Sequence, residues 1–516
     1  MCITCIANKL KQFIKENIIF CLFFVGMVIY YAYNMFAIKP WYDELYTYYS
    51  FISRGPVYSA IHWPVPNNHV FYSVLSAFLD YLGNPYIGLR GISFLAACAN
   101  LMLLYRFAGR FMNKYFAAGA VFLYAAVWQV NTLSVQGRGY TISITFYLLA
   151  LLCMEKICRE QASIWDYAVY ACSLTGGLYA LISSTFWVIP VCLTGGIVLL
   201  FTKKYKTMWK LIAASLVAAC MTLFLYTLIW LAIGSNLMSK DPANAYFGVY
   251  QVTIILKTPF EALRTGMEYM LATPYIQGDE RSYIIKELFN YLTGVFDLFY
   301  SGFGRVLTVV CGVLGIFAIV SAVKNRIADN KKWYFAVYLA VAVVMVPVML
   351  IIQSVQPYYR VFAFLGVPVS LLLIWALYLV IAKTGERKEL IAKVSCIVLL
   401  FVSAGALLSE SYNSQYAYRE TEIAQILESE ADNINTICYA DDYQKYVLKF
   451  YYDLQPQEMP IEEAEYVLLP KELHDEAYEV PVWPTMYTHE SFNFEYLNDN
   501  FGMINESESY ELYKRL

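Results

Sequence analysis

Residues 333–353 read WYFAVYLAVAVVMVPVMLIIQ, a run that contains no charged side chain. An α-helix needs about 20 predominantly apolar residues to cross the hydrocarbon layer of a membrane. Apolar runs of this kind recur along the chain, although the fourth and sixth are short. The sequence therefore predicts eleven transmembrane helices, near residues 17–38, 86–107, 115–134, 139–154, 167–183, 186–201, 210–233, 303–323, 333–353, 361–382 and 391–409.

The composition of all 516 residues agrees with this interpretation. Hydrophobic residues make up 59% of the chain and charged residues 15%, whereas a soluble domain carries about 25% charged residues. This composition excludes a disordered chain, a coiled coil and a cytosolic enzyme. The formal net charge of −3 argues against a basic nucleic-acid-binding protein.

The charges divide the chain into two parts. Residues 410–516 contain 23 Asp or Glu and only 6 Lys or Arg, and their pattern alternates between helical and strand-like segments. The rest of the chain has more basic than acidic residues. We predict an all-α multi-pass membrane domain over residues 1–409, followed by a small acidic extracellular α/β domain over residues 410–516.

The basic residues predict the orientation of the chain in the membrane. Lys and Arg collect on cytoplasmic loops, and here they precede the first span and then recur on alternate loops. The N-terminus should be cytoplasmic, and eleven spans then place the acidic tail outside, with the protein in the cell membrane. Twenty of the 37 basic residues lie on six such pieces, within residues 9–15, 106–114, 156–159, 203–210, 324–332 and 383–393.

The first outer loop, residues 39–85, is rich in Tyr and Trp, which favour the boundary between lipid and water. We predict two short interfacial helices here, joined by residues 63–66. Asp43 and Glu44 lie where the first span ends and are either functional carboxylates or boundary acids that contact headgroups. Asn68 and His69 open the second short helix, where Asn68 is a candidate N-cap and His69 a candidate interfacial contact.

Two arginines at outer ends of spans are candidate anion ligands. Arg138 lies between two glycines and is followed by Tyr140, and Arg360 follows Tyr359 where the chain re-enters the membrane. A guanidinium binds two phosphate oxygens at once, so both arginines are suited to an anion in the outer leaflet. The alternative is an arginine that only extends its charge towards water.

The acidic pair, the Asn-His turn and two longer segments together resemble a known superfamily. The segments are GLRGISFLAACANLMLLYRFAGRF, residues 88–111, and LSVQGRGYTISITFYLLALL, residues 133–152. In this order they are similar to the dolichyl-phosphate-mannose–protein mannosyltransferase superfamily, and more narrowly to the bacterial members of glycosyltransferase family 39. These are C-class integral-membrane glycosyltransferases, and the similarity is best over residues 17–160.

The resemblance implies transfer of a sugar from a polyprenyl-phosphate donor to a hydroxyl of an extracytoplasmic glycan, lipid or protein acceptor. It implies that Asp43 is the catalytic carboxylate, that Glu44 completes the acidic pair and that Arg138 contacts the lipid phosphate. It implies no certain cofactor; some relatives use a divalent metal, for which Asp43, Glu44 and His69 are candidate ligands without diagnostic spacing. The predicted substrate-binding residues are Asn68, His69, Arg138, Tyr140, Tyr359 and Arg360.

The residue types fit this chemistry independently. A phosphate is a good leaving group, so one carboxylate that deprotonates the acceptor and one arginine that holds the departing charge are enough. Glycosidases usually place two carboxylates on opposite sides of the bond, and the adjacent Asp43 and Glu44 do not provide this. We therefore predict direct displacement with inversion.

Two other classes of protein remain open. A transporter or lipid flippase would need polar or broken helices at the middle of the membrane. Pro190 and Pro347 are possible breaks, but the interiors of the spans lack acidic residues. A structural or adaptor protein whose tail binds an extracellular partner leaves the arginine between glycines without a role.

Overall fold

The computed structural model describes residues 3–61, 68–233, 281–324, 330–354, 356–413, 418–430, 434, 436–452, 459–476 and 487–516. The chain forms two compact units. The first contains Met1–Met35 and Phe51–Asn413, and the second contains Phe36–Ser50 and Ser414–Leu516. The second unit thus combines the acidic tail with a segment from the first outer loop. The functional domain boundary between residues 409 and 410 stays a prediction.

Most of the first unit is α-helical. Asn84, Asn113 and Ser163 each cap the helix that follows by accepting hydrogen bonds from its first amides, as expected of N-cap residues. The helices up to the third capped one are α1 Ile3–Glu16, α2 Ile18–Ala37, α3 Tyr42–Ser50, α4 Pro56–Ile61, α5 Val70–Asp80, α6 Pro85–Ala108, α7 Lys114–Ala126, α8 Trp128–Val135, α9 Tyr140–Cys158 and α10 Ile164–Ala180, of which α3 is in the second unit. The later ones are α11 Thr185–Phe201, α12 Tyr205–Ile233, α13 Arg281–Asp297, α14 Gly304–Lys324, α15 Asn330–Gln353, α16 Gly366–Ile381 and α17 Lys388–Asn413.

The protein is a multi-pass membrane protein, as predicted. Within the described residues, nine helices are long and apolar enough to cross a membrane, or ten when the bent pair α7 and α8 is counted as one span. All eleven predicted runs coincide with helices, and the fifth, α10, is 17 residues long. The orientation of the chain in the membrane stays a prediction.

The run predicted as a single span over residues 115–134 contains a bend of 72° between α7 and α8. At this bend the first amides of α8 bind carbonyls from a distant part of the chain. The N–H of Trp128 donates to the carbonyl of Phe299 at 3.0 Å, and that of Gln129 to Leu298 at 3.1 Å. The bend therefore leaves these buried amides satisfied.

The first outer loop forms short helices, namely α3, α4 and α5, with a 3₁₀ turn at Ile52–Arg54. The sequence predicts two helices here, and the structure has three because Gly55 and Pro56 separate α3 from α4. The predicted connection at residues 63–66 lies outside the described residues.

Four strands form the sheet of the second unit: β1 Ile437–Tyr439, β2 Tyr466–Pro470, β3 Phe501–Glu506 and β4 Tyr510–Arg515. Their order is β1-β2-β4-β3, with β1 parallel to β2 and the other pairs antiparallel. The accompanying helices are α18 Tyr418–Leu427, α19 Asp442–Tyr452 and α20 Phe494–Asn500. The predicted α/β character of this region is confirmed, although β3 and α20 did not emerge from the sequence pattern.

Both faces of this sheet are covered, so β2 is buried along its whole length. Tyr466 and Leu468 face a core formed with α3, α18 and α19, whereas Val467 and Leu469 face a second core on the other side. Successive residues of a strand point to opposite faces, which is why one strand supplies both cores.

Candidate functional site

The candidate site in the first unit is centred on the segment Gln136–Tyr140, which connects α8 to α9. Gly137 allows this segment to lie against α6, because a Cβ atom there would be 2.5 Å from Leu89 Cδ1 and 3.0 Å from the Leu89 carbonyl oxygen. The hydroxyl of Ser93, also on α6, donates to the carbonyl of Gln136. Arg138 is consequently held in a buried loop, with 3% of its surface exposed.

Gly139 connects this segment to His69. The backbone N–H of Gly139 donates to Nδ1 of His69 at 2.8 Å. A Cβ atom at residue 139 would lie 3.0 Å from the Ala180 carbonyl oxygen and 3.1 Å from His69 Cβ. Both glycines thus permit close packing around Arg138.

The protonation of His69 follows from its surroundings. Burial first, and then the positive charges of Arg138 and Arg360, hold the pKa of His69 well below its usual value of 6.5, so the ring is neutral at pH 7. Because Nδ1 accepts from a backbone amide, we assign the single ring proton to Nε2. Nη2 of Arg138 lies 3.4 Å from this nitrogen. The guanidinium of Arg138 and the Nε2–H of His69 are therefore adjacent hydrogen-bond donors, and both side chains are buried.

Tyr140 and Asn68 complete the surroundings of the ring. Tyr140 begins α9, and its ring meets the His69 ring edge to face at 5.2 Å. The Asn68 amide donates to the Ser59 carbonyl at 3.1 Å and accepts from the Ser73 hydroxyl at 2.7 Å, which joins α4 to α5. The interpretation of Asn68 as the N-cap is wrong, because His69 occupies that position and its side chain makes no capping bond.

Arg360 and Tyr359 lie on a 3₁₀ segment, Tyr359–Leu365, that packs on α9. The Arg360 guanidinium lies over the ring of Tyr358 at 5.1 Å, and its charge acts on His69. Tyr359 is 40% exposed and its ring packs on Tyr291 at 5.2 Å. The structure thus brings the charge of Arg360 to the His69 site, whereas the described ring contact of Tyr359 is with Tyr291.

Asp43 and Glu44 belong to the second unit, in the first turn of α3. Both are buried, with 3% and 0% of their surfaces exposed. One oxygen of Glu44 accepts the N–H of Trp41 at 3.0 Å, as a residue at the third helical position does in a capping box. Glu44 therefore has a visible structural role, and the catalytic role of each carboxylate stays a prediction.

Glu420 on α18 is another buried carboxylate of the second unit, and it was missed from the sequence. Its exposed fraction is 1%, and its Oε1 accepts the N–H of Tyr42 at 2.7 Å. In a tail with 23 acidic residues, its residue type alone did not distinguish it. A signal was present, however, because Glu420 shares a helical face with Ile423, Ala424 and Leu427, which are all buried.

The described residues contain no group of three or more His, Cys, Asp or Glu side chains arranged to hold a metal ion. Of the three candidate ligands, His69 belongs to the first unit and the acidic pair to the second. Within the part of the chain that the structure describes, these side chains do not form a metal site, and we derive no step through a metal.

Comparison with known proteins places the fold. No protein-family model and no curated protein sequence matches the chain. The structure is similar to ArnT from Cupriavidus metallidurans bound to undecaprenyl phosphate, with a TM-score of 0.52 and 11% identity over 96% of this chain and 98% of that one. For the apo state of ArnT the TM-score is 0.50, with 10% identity and the same two coverages.

A weaker likeness, with a TM-score of 0.47, is to the archaeal oligosaccharyltransferase AglB from Archaeoglobus fulgidus in complex with an inhibitory peptide and a dolichol-phosphate. Its identity is 12% over 89% of this chain and 70% of that one. The likeness to ArnT shows that this chain has the C-class integral-membrane glycosyltransferase fold, as the sequence resemblance predicted.

Proposed function

We propose that this protein is an integral-membrane glycosyltransferase that moves a sugar from a polyprenyl-phosphate donor to an acceptor hydroxyl. The observation that carries the proposal is the buried Arg138 guanidinium of the first unit, whose Nη2 lies 3.4 Å from Nε2 of His69. With the ring proton assigned to Nε2, both side chains offer N–H donors there. ArnT, which shares the fold, was solved with undecaprenyl phosphate bound.

A phosphate group suits this arrangement. Arginine offers a planar fork of N–H groups that matches phosphate oxygens, and a neutral imidazole adds one further donor without another buried charge. The charge of Arg360 acts at the same ring, so the site is electropositive. As the bond between sugar and phosphate breaks, negative charge grows on the phosphate, and donors already in place stabilise it without reorganisation.

The remaining step is removal of a proton from the acceptor hydroxyl. We assign it to Asp43, with Glu44 holding the first turn of α3 through its bond to Trp41. Attack of the acceptor oxygen on the sugar carbon forms the new glycosidic bond, the bond to phosphate breaks, and the configuration inverts. We further propose that Asn68 and Tyr140 support the His69 ring, that Arg360 and Tyr359 line the path of the lipid, and that the acceptor is an extracytoplasmic glycan, lipid or protein.

The location of the reaction follows from the predicted orientation. With a cytoplasmic N-terminus, the outer loops and the second unit lie on the extracytoplasmic side of the cell membrane. The excess of Lys and Arg on alternate loops supports this orientation.

The test is turnover by the protein in lipid vesicles with a panel of polyprenyl-phosphate sugars, followed as release of polyprenyl phosphate. We expect Asp43→Asn to lower kcat by about 10²- to 10⁴-fold and Arg138→Ala to lower kcat/KM by about 10²- to 10³-fold. Asp499→Asn and Arg54→Ala, which change exposed residues in the same two units, are matched controls and should keep the wild-type rate.

Wild-type turnover by Asp43→Asn would remove the assignment of the base. Turnover with none of the donors, together with measured movement of lipid across the vesicle membrane, would replace the proposal by a flippase.

A further inference from the structure

The helix that carries the acidic pair is part of the second unit's core. Leu45 of α3 is completely buried and Tyr42 is 2% exposed, and both pack in one apolar cluster with residues of α18, α19 and β2. The Tyr42 ring also stacks on Tyr443 of α19 with centroids 4.4 Å apart. The position of Asp43 is therefore set by contacts with the acidic tail.

One polar contact lies next to Asp43 in the chain. Oε1 of Glu420 accepts the N–H of Tyr42 at 2.7 Å. Tyr42 is the first residue of α3, and the amides of a first helical turn have no acceptor within their own helix. Glu420, which lies 378 residues away in the sequence, supplies that acceptor and fixes the start of α3.

The surroundings of Glu420 are unfavourable for a carboxylate. Burial first, and then the negative charges of Glu44 on α3 and Asp441 before α19, raise the pKa of Glu420 to about 7. An amide in its place would cap the helix without this penalty. The charge of Glu420 also acts on Tyr443 and Tyr510, and the other charged groups that act on these two tyrosines are Asp43, Arg419, Asp441 and Glu472.

We infer that Glu420 is a positioning residue for the transfer reaction, which holds the first turn of α3 so that Asp43 stands where the acceptor hydroxyl is deprotonated. This inference rests on the proposed function. It assigns a function to the acidic tail, because Glu420 of the tail then positions the proposed base, Asp43.

The test compares Glu420→Ala, which removes the acceptor oxygen, with Glu420→Gln, which keeps an oxygen but not the charge. Glu428→Gln, an exposed acid just beyond α18, is the matched control. Hydrogen exchange of residues 42–45 reports on the start of α3, and steady-state kinetics in vesicles report on kcat and on the KM for the donor.

We expect Glu420→Ala to speed exchange of residues 42–45 and to lower kcat by about 10- to 100-fold, because small displacements of a reacting group have effects of this size. The KM for the polyprenyl-phosphate sugar should change less than about 3-fold, because Arg138 and His69, which bind its phosphate in the proposal, are not altered. Glu420→Gln should recover most of kcat. The wild-type kcat should rise with pH through about 7, since an ionised oxygen is the stronger acceptor, and Glu420→Gln should lack this rise.

An unchanged kcat in Glu420→Ala, with Asp43→Asn inactive, would overturn the positioning role and leave the proposed function intact. Full activity of Asp43→Asn would overturn both. If Glu420→Ala does not fold, the pH profile of Glu420→Gln decides, and a profile identical to that of the wild type overturns the inference.

Discussion

Replacing Glu420 by Gln should stabilise the second unit at alkaline pH. The pKa of Glu420 is about 7 in the folded protein, compared with 4.5 as its ordinary value, chiefly because the side chain is buried. A group whose pKa is raised by folding opposes folding once it ionises. The difference in pKa corresponds to a loss of folding stability of about 3 kcal/mol. This loss is absent below about pH 4.5, grows as the pH rises and is complete above about pH 7.

The Gln side chain keeps the oxygen that accepts the Tyr42 N–H and removes the buried charge. Its NH₂ group is uncharged, so the repulsion by Glu44 and Asp441 that acts on the wild-type carboxylate is absent. We therefore expect the substitution to relieve the electrostatic penalty without loss of the bond to α3.

Hydrogen exchange of the β2 amides, corrected for the intrinsic effect of pH, measures this effect in the full-length protein. At pH 8.5, Glu420→Gln should protect these amides about 300-fold more than the wild type, and at pH 5 only about 4-fold more. Glu428→Gln should match the wild type at both pH values. Equal protection of wild type and Glu420→Gln at pH 8.5, or weaker protection in the variant, would refute the reasoning, because the carboxylate would then carry no penalty.

Three further predictions concern packing and the His69 site. Gly177→Ala should destabilise the protein by about 1–3 kcal/mol in a thermal unfolding assay in detergent, because the new Cβ would lie 2.2 Å from a ring carbon of Trp187, whereas Gly196→Ala, with no atom within 4 Å, should be nearly neutral. Leu468→Ala, at a fully buried position of β2, should lower the stability of the second unit by about 2–5 kcal/mol, and exposed Met503→Ala by less than about 0.5 kcal/mol; equal effects would contradict the described core. Nitrogen-15 NMR at pH 7 should show the His69 proton on Nε2, and a proton on Nδ1 would contradict the acceptor role toward Gly139.

The membrane helices were predictable because lipid imposes a length and an apolar composition on each of them. The bend between α7 and α8 was not. It depends on the carbonyls of Leu298 and Phe299, more than 160 residues away. These carbonyls accept hydrogen bonds from the amides that have no partner within their own helix at the bend. No local pattern in residues 115–134 reports such a partner.

The candidate site shows the same division between what the sequence predicts and what it leaves out. Arg138 between two glycines was a visible signal, and the Asn-His turn was another. That the two meet, through an amide of Gly139 and a ring nitrogen of His69, is a tertiary contact between distant segments. The reason for the glycines, close packing against Leu89 and Ala180, also depends on neighbours outside the segment.

The second unit takes Tyr42 and Leu45 from one end of the chain and the remainder of its core from the other. During synthesis, α3 leaves the ribosome some 378 residues before its partner Glu420. At about 5–20 residues per second this is a delay of roughly 20–75 seconds. Throughout that interval Tyr42 and Leu45 have no sheet to pack against. A fragment starting at residue 410 would lack Tyr42 and Leu45, and its core would contain a cavity at the place that α3 fills in the full chain.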